Sequence, residues 1–179
     1  MREQLLAADN FVMGTTNILL IALPDGWRML EGHAAPEVER WSTYRDRRWM
    51  LEGRAPYRLV RPHPDKPQLV AAEVELCITA KSASGRYPRG NRLDYKETGQ
   101  VAVGEHKGQY RLGTIRRGGL LGLLPGMAVP ALHLDLLCFE TGRRIHLELN
   151  ALRRGHEPTA TESDLRALLR ALQDSFRCH

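Results

Sequence analysis

LHLDLLCFETGRRIHLELN, residues 132–150, consists of two runs of alternating apolar and polar residues on either side of Thr141–Gly142. Alternation with a period of two is typical of a strand with one apolar face, so the runs predict two antiparallel strands. Directly opposed residues share a face, and a loop with an even number of residues, most simply Thr141–Gly142, brings both apolar sets to one side. These sets are Leu132, Leu134, Leu136 and Cys138, and Ile145, Leu147, Leu149 and Ala151.

The second face of this hairpin carries the polar side chains of His133, Asp135, His146 and Glu148. A two-residue loop would place Asp135 opposite Glu148, and opposed carboxylates repel each other. One hypothesis is a divalent cation held by these carboxylates and a histidine, all of which are suitable zinc ligands. We favour the alternative, in which His146 and Arg144 neutralise Asp135 and no metal binds, because no metal-motif spacing is present.

Further strands are predicted on both sides of the hairpin. The segment NILLIALP predicts a strand that ends at Pro24, followed by the turn sequence PDGW. Residues 70–81 alternate like a half-buried antiparallel strand, and HPDK, at 63–66 among three prolines, predicts the loop before it. Residues 100–117 predict another hairpin, with GEHKG as its loop.

Two segments predict helices. REQLLAADNFV, residues 2–12, predicts a short helix before Gly14. The clearer helix covers residues 162–178, where TESD supplies Thr161 as N-cap and Asp164 three residues later, a variant of the capping box. Its apolar residues recur on one helical face, so we expect the helix to pack on the sheet. They are Leu165, Leu168, Leu169, Leu172 and Phe176.

Together these elements predict an α+β fold, an antiparallel sheet of about six strands with helices packed on it. The length of 179 residues fits a single domain spanning 1–179. The order of elements, with LPDGW after the first strand, RRIHLELNAL before the closing helix and LQDSF at its end, resembles the PsbP-like superfamily. The resemblance implies a three-layer α-β-α sandwich and a non-enzymatic binding module, and it assigns no functional residue to this chain.

The net charge is +5, and all but four of the 26 basic residues are arginines. Segment 40–61 combines seven arginines with interleaved Trp and Tyr, a composition typical of a surface that binds single-stranded nucleic acid. A solvated arginine face with buried aromatics is the favoured interpretation, since no nucleic-acid-binding motif accompanies the charge. The candidate binding residues of this segment are Arg45, Arg47, Arg48, Trp49 and Arg54.

GGLLGLLPGMAVP, residues 118–130, is rich in glycine and leucine. It lacks the Lys and Ser/Thr of a phosphate-binding loop, which excludes that interpretation. Its leucines either pack under the edge of the sheet or form an exposed patch for a protein partner. They are Leu120, Leu121, Leu123 and Leu124.

The sequence contains neither a nucleophile elbow nor an HExxH motif, so we expect no catalysis and no cofactor. Cys178–His179 predicts a frayed end rather than a catalytic pair. The three cysteines form no CxxC pair, and no apolar run approaches a membrane span, which favours the cytoplasm. The favoured function is a protein-binding adaptor or chaperone-like module with an unknown protein partner, and the alternative is a nucleic-acid-binding protein that uses residues 40–61.

Overall fold

A computed structural model of the chain describes residues 2–10, 15–30, 54–82, 93–117, 126–154 and 156–178. Strands dominate these ranges, which contain one helix, α1, at Glu162–Ser175. The strands are β1 Arg2–Asn10, β2 Thr15–Leu23, β3 Arg28–Leu30, β4 Arg54–Pro62, β5 Val70–Ser82, β6 Asp94–Val103, β7 His106–Arg117, β8 Met127–Cys138, β9 Arg143–Ala151, β10 Arg153–Arg154 and β11 Glu157–Pro158.

Seven strands form one antiparallel sheet in the order β3-β4-β5-β9-β8-β7-β6. The hairpin of residues 132–150 therefore supplies its centre, with β9 as the middle strand. The alternating residues of β5 are buried as predicted, from Ala72 through Val74 and Leu76 to Ile78. They continue the apolar face of β8 and β9 across the sheet, because Leu76 is paired with Leu149 and Leu149 with Leu132.

One face of the sheet is covered by α1 and by the antiparallel pair β1–β2. Helix α1 contacts β6 and β8, and β1 lies beside β4 and β5. Strand β2 lies against α1, and the chain after the helix returns to it, since Leu20 and Arg177 exchange two backbone hydrogen bonds of 2.8 and 2.9 Å. The main apolar core lies between these two layers.

Helix α1 begins as predicted. Thr161 is the N-cap, its hydroxyl accepts from the backbone N–H of Asp164 at 3.3 Å, and the Asp164 carboxylate accepts from the backbone N–H of Thr161 at 2.9 Å. The helix ends at Ser175, three residues earlier than predicted, with Phe176 as C-cap. All five residues of the predicted apolar stripe are nevertheless buried, which confirms that the helix packs on the sheet.

The predicted fold class is wrong. The described chain is mainly β, with one helix on one face of a seven-stranded sheet, and not an α-β-α sandwich with helices packed on the sheet. Residues 2–10, predicted to be helical, form β1 and pair with β2 from Arg2 opposite Leu23 to Asn10 opposite Thr15. The pairing explains the error, because the backbone groups of the apolar strand β2 require hydrogen-bond partners, and tertiary context overrides a weak helix propensity.

The turns follow the sequence closely. Pro24 directly follows β2, and Gly26 has the positive φ expected in PDGW, at 80°. Residues 63–66 lie in the loop between β4 and β5, as predicted. The GEHKG hairpin is tighter than expected, since only Gly104 and Glu105 form its loop. As a consequence, His106 is the first residue of β7 and is buried.

Candidate functional site

Strand β8 presents chemically different side chains to the two faces of the sheet. Its even-numbered residues, such as Leu134, point into the core beneath α1. Its odd-numbered residues include His133 and Asp135, which lie on the opposite face, here called the outer face. There they meet polar side chains of β7 and β9 and form a polar network. This network consists of Arg111, His133, Asp135, His146, Glu148 and Asn150.

His146 lies between two carboxylates of this network. Its Nδ1 is 2.7 Å from Oδ1 of Asp135, and its Nε2 is 3.4 Å from Oε1 of Glu148. Arg111 also contacts Asp135, through Oδ2. The two carboxylates thus meet opposite nitrogens of one imidazole ring, so the cation between them is His146 itself.

The electrostatics of His146 follow from this position. Burial by itself would lower the pKa of His146, but the hydrogen bonds with Asp135 and Glu148 outweigh it and raise the pKa to about 9. His146 is therefore protonated at neutral pH. Burial would likewise raise the pKa of Asp135, but the hydrogen bond with His146 and the charge of Arg111 together lower it.

His133 has the opposite electrostatics, although its ring centroid lies only 5.4 Å from that of His146. Burial is the main cause that lowers the pKa of His133, to about 4, and the positive charge of His146 adds to it. Nε2 of His133 is 3.3 Å from Oδ1 of Asn150, and Nδ2 of Asn150 donates to Oε2 of Glu148 at 3.4 Å. One histidine of the network is thus neutral and the other charged at pH 7.

The register of β8 and β9 differs by two residues from the prediction. Asp135 is opposite His146, and Glu148 is opposite His133, so the carboxylates are not directly opposed. The loop contains four residues, 139–142, and not two. A two-residue hairpin turn of the favoured I′ type needs positive φ at both positions, which a β-branched residue such as Thr141 resists. In the observed loop Gly142 has positive φ, at 61°, and the even number of loop residues keeps the apolar faces aligned.

Beside the network, the outer face opens into a groove of about 620 Å³. Lys107 on β7 and Arg144 on β9 are exposed along it, both paired with Leu137 of β8, and Arg111 lies four residues beyond Lys107 on β7. In the described ranges, neither Lys107 nor Arg144 forms an ion pair. The groove is lined by Gln100, Lys107, Gly108, Gln109, Arg111, Asp135, Leu136, Leu137 and Arg144.

Sequence reasoning identified one half of this surface and missed the other. His133, Asp135, His146 and Glu148 come together as one network, as their alternation indicated. The basic groove was missed because its cations, Lys107, Arg111 and Arg144, belong to two strands, β7 and β9, whose placement on either side of β8 the sequence does not state. The signal that was available is Lys107, Gln109 and Arg111, an alternation of long polar side chains along β7.

The remaining predicted residues contribute little to the described site. Arg45, Arg47, Arg48 and Trp49 lie outside the described residues, as do Leu120, Leu121, Leu123 and Leu124. Arg54 is the first residue of β4, where it is paired with Thr79. These predictions of a nucleic-acid surface and of an apolar patch therefore stay predictions.

Comparison with family models, curated proteins and solved structures gives no significant match to this chain. In the part of the chain that the structure describes, no helix has the length and apolar character needed to span a membrane. What the site does must therefore follow from its own residues, and its distinguishing feature is a basic groove beside a charge-balanced polar network.

Proposed function

We propose that the protein is a non-enzymatic, cytoplasmic binding module that holds an acidic segment of a partner protein in the groove of the outer face. The observation that carries this proposal is the pair of exposed cations, Lys107 and Arg144, that flank the groove without an ion pair among the described residues. A carboxylate of the partner would supply the missing counter-charge.

The groove also suits a polypeptide in other respects. Gln100 and Gln109 are directly opposed on β6 and β7, and both are exposed. Their amides offer a donor and an acceptor each, which match the N–H and C=O groups of an extended peptide. Leu137 adds an apolar contact beside Arg144, to which it is paired. Charge complementarity of this kind accelerates association and selects partners more than it adds affinity.

The floor of the groove is rigid. Arg111 is held by Asp135, which is held in turn by His146 and through it by Glu148. Because these side chains are ordered before a partner arrives, little side-chain entropy is lost when it binds. The polar network is thus the support of the groove, and Lys107 and Arg144 are its contact residues.

An acidic peptide fits the groove better than single-stranded nucleic acid does. Proteins that bind single strands stack the bases on aromatic side chains. Among the described residues that line the groove, none is aromatic. The nucleic-acid hypothesis belongs instead to residues 40–61, and a direct comparison of the two ligands separates the proposals.

The test is the binding of a fluorescent oligo-glutamate peptide to the full chain, measured by anisotropy at low and at physiological salt. We expect saturable binding that weakens as salt rises, because surface charges are screened. The double substitution K107Q/R144Q should lower the affinity at least about tenfold. The control K66Q/R170Q removes the same charge from two exposed residues elsewhere and should leave the affinity within about twofold.

Two results would contradict the proposal. Equal losses of peptide affinity in K107Q/R144Q and K66Q/R170Q would show that only net charge attracts the peptide. Tighter binding of an oligo-uridine strand than of the peptide, unaffected by K107Q/R144Q, would assign the binding activity to another surface and another ligand class.

A further inference from the structure

A second group of reactive side chains lies at the end of the sheet, on the face that α1 covers. His106 begins β7, Cys138 ends β8, and Cys178 follows α1. Nε2 of His106 is 2.9 Å from Sγ of Cys178, and Sγ of Cys178 is 3.4 Å from Sγ of Cys138. These three atoms all lie within 4.8 Å of one another. We call these residues the thiol–imidazole cluster.

The segment that carries Cys178 is fixed in place. Arg177 forms two backbone hydrogen bonds with Leu20, and the backbone N–H of Gly104 donates to the carbonyl of Gln173 at 3.0 Å. Phe176 is buried and meets the edge of the His106 ring, with centroids 5.2 Å apart. The frayed end predicted for Cys178 is therefore wrong, and the residue is held beside the histidine.

The imidazole of His106 is oriented for a ligand. Its Nδ1 is 3.2 Å from the backbone carbonyl of Val103. A carbonyl only accepts hydrogen bonds, so Nδ1 carries a hydrogen, and Nε2 is the ring nitrogen that faces Cys178 and can coordinate a metal. A backbone carbonyl that fixes the tautomer in this way is the usual outer partner of a histidine that binds a metal.

The two thiols differ in pKa. Burial would raise the pKa of Cys138, but hydrogen bonds, chiefly from Thr141, outweigh it and lower the pKa to about 6. Burial and the hydrogen bond to Cys138 raise the pKa of Cys178 to about 12.

We propose that His106, Cys138 and Cys178 bind one zinc ion, with a fourth coordination position open to the adjacent cavity. Two thiolates and one imidazole with an open position form an established zinc ligand set. Zinc binds thiolates, so each thiol that is protonated releases its proton to solvent as its sulfur coordinates the metal. The cavity of about 430 Å³ that His106 and Cys178 line supplies room for a water molecule as fourth ligand.

The distances need only a small adjustment. Bonds of about 2.3 Å to sulfur and about 2.0 Å to nitrogen in a tetrahedron separate two sulfurs by about 3.8 Å, and sulfur from nitrogen by about 3.5 Å. The present separations of 3.4 and 2.9 Å are shorter. These two separations must each widen by about half an ångström to admit the ion.

The test uses the full chain, treated with a chelator and kept in reductant, and titrated with Co²⁺ alone. We expect one equivalent to produce thiolate-to-metal charge-transfer absorption and tetrahedral ligand-field bands, and Zn²⁺ to abolish both. C178S and H106Q should each weaken Co²⁺ binding at least about 100-fold, more than the loss of an outer partner costs. The matched control C77A alters the buried cysteine of the outer face and should bind Co²⁺ like the wild type.

A second measurement covers the case in which a variant fails to fold. Zinc that binds the native state alone must raise the unfolding midpoint of the wild type and of C77A. Three results would overturn the proposal: no thiolate band in the wild type, an unchanged titration in C178S, or a midpoint that zinc leaves in place. A Cys138–Cys178 disulfide that forms in reductant and prevents Co²⁺ binding would also overturn it.

Discussion

The polar network and the thiol–imidazole cluster lie on opposite faces of the same strand, β8, and they differ in how their charges are balanced. In the network, Asp135 and Glu148 flank the protonated His146, and Arg111 completes the pairing. In the cluster, Sγ of Cys178 lies beside both Nε2 of His106 and Sγ of Cys138. The first group contains its own counter-ions, and the second consists of sulfur and nitrogen atoms that can coordinate a metal.

This difference explains why similar residue types lead to different functions. Carboxylates that already hold a protonated histidine gain little from a metal ion, and a hydrogen-bonded network makes a rigid support. Two cysteine sulfurs and an imidazole match zinc, which favours sulfur and nitrogen ligands. The predictions below test this contrast, from the largest expected effect to the smallest.

Removal of the cation from the network should have the largest effect. H146Q leaves the buried Glu148, whose side chain is 4% exposed, without its positive partner. Loss of one member of a buried ion pair costs about 3–5 kcal/mol. Denaturant unfolding at pH 6.5 should show a decrease of this size in the free energy of unfolding.

The matched control for H146Q is R144Q, which removes a positive charge from an exposed residue of the same strand. It should change the free energy of unfolding by less than about 0.5 kcal/mol. Similar losses in the two variants would mean that net charge, and not the position between the carboxylates, determines the stability.

The second effect is a dependence on pH. The pKa of His146 is raised to about 9 in the folded chain, above its value of about 6.5 in the unfolded chain. The stabilisation by His146 is therefore complete below pH 6.5 and is lost as the pH rises through 9, by at most about 3 kcal/mol. The difference in unfolding free energy between wild type and H146Q isolates this contribution from other titrating groups.

We expect that difference to be constant just below pH 6.5 and to shrink between pH 6.5 and 9. A difference that stays constant across this window, or grows, would show that His146 is neutral in the network. In that case the contrast between a self-balanced network and a metal-binding cluster would fail.

The third effect concerns the turn that supports the cluster. Gly104 has φ of 55°, and a Cβ atom there would lie 2.2 Å from the carbonyl oxygen of Phe176. G104A should lower the free energy of unfolding by about 2–3 kcal/mol, because the left-handed backbone and the steric overlap both destabilise alanine there. Because the overlap displaces the chain next to Cys178, Co²⁺ affinity should fall as well. If G104A lowers the free energy of unfolding but leaves the Co²⁺ affinity unchanged, the turn and the cluster are independent.

The predictions that were confirmed concern features set by residues close together in the sequence. Alternation located the central hairpin, and the spacing of Thr161 and Asp164 located the start of α1, because these signals are local. The helix prediction failed for β1, which pairs with β2 because the backbone of that apolar strand needs hydrogen-bond partners. Sequence reasoning also missed the thiol–imidazole cluster, because His106 and Cys178 are 72 residues apart and meet only through the return of the chain after α1.

The smallest effect is expected at the loop between β8 and β9, and it separates backbone strain from steric overlap. Gly142 has φ of 61°, close to that of Gly104, but a Cβ atom there would meet nothing within 4 Å. G142A should therefore cost only about 1 kcal/mol, the strain of a left-handed alanine, and G142N less, since Asn tolerates this conformation better. Neither change should alter the pH dependence assigned to His146, because the network is held by the strands and not by the loop. Parallel unfolding curves of G142A, G142N and G104A measure the difference between strain alone and strain with overlap. If G142A destabilises as much as G104A, overlap with the Phe176 carbonyl is not the cause of the G104A effect.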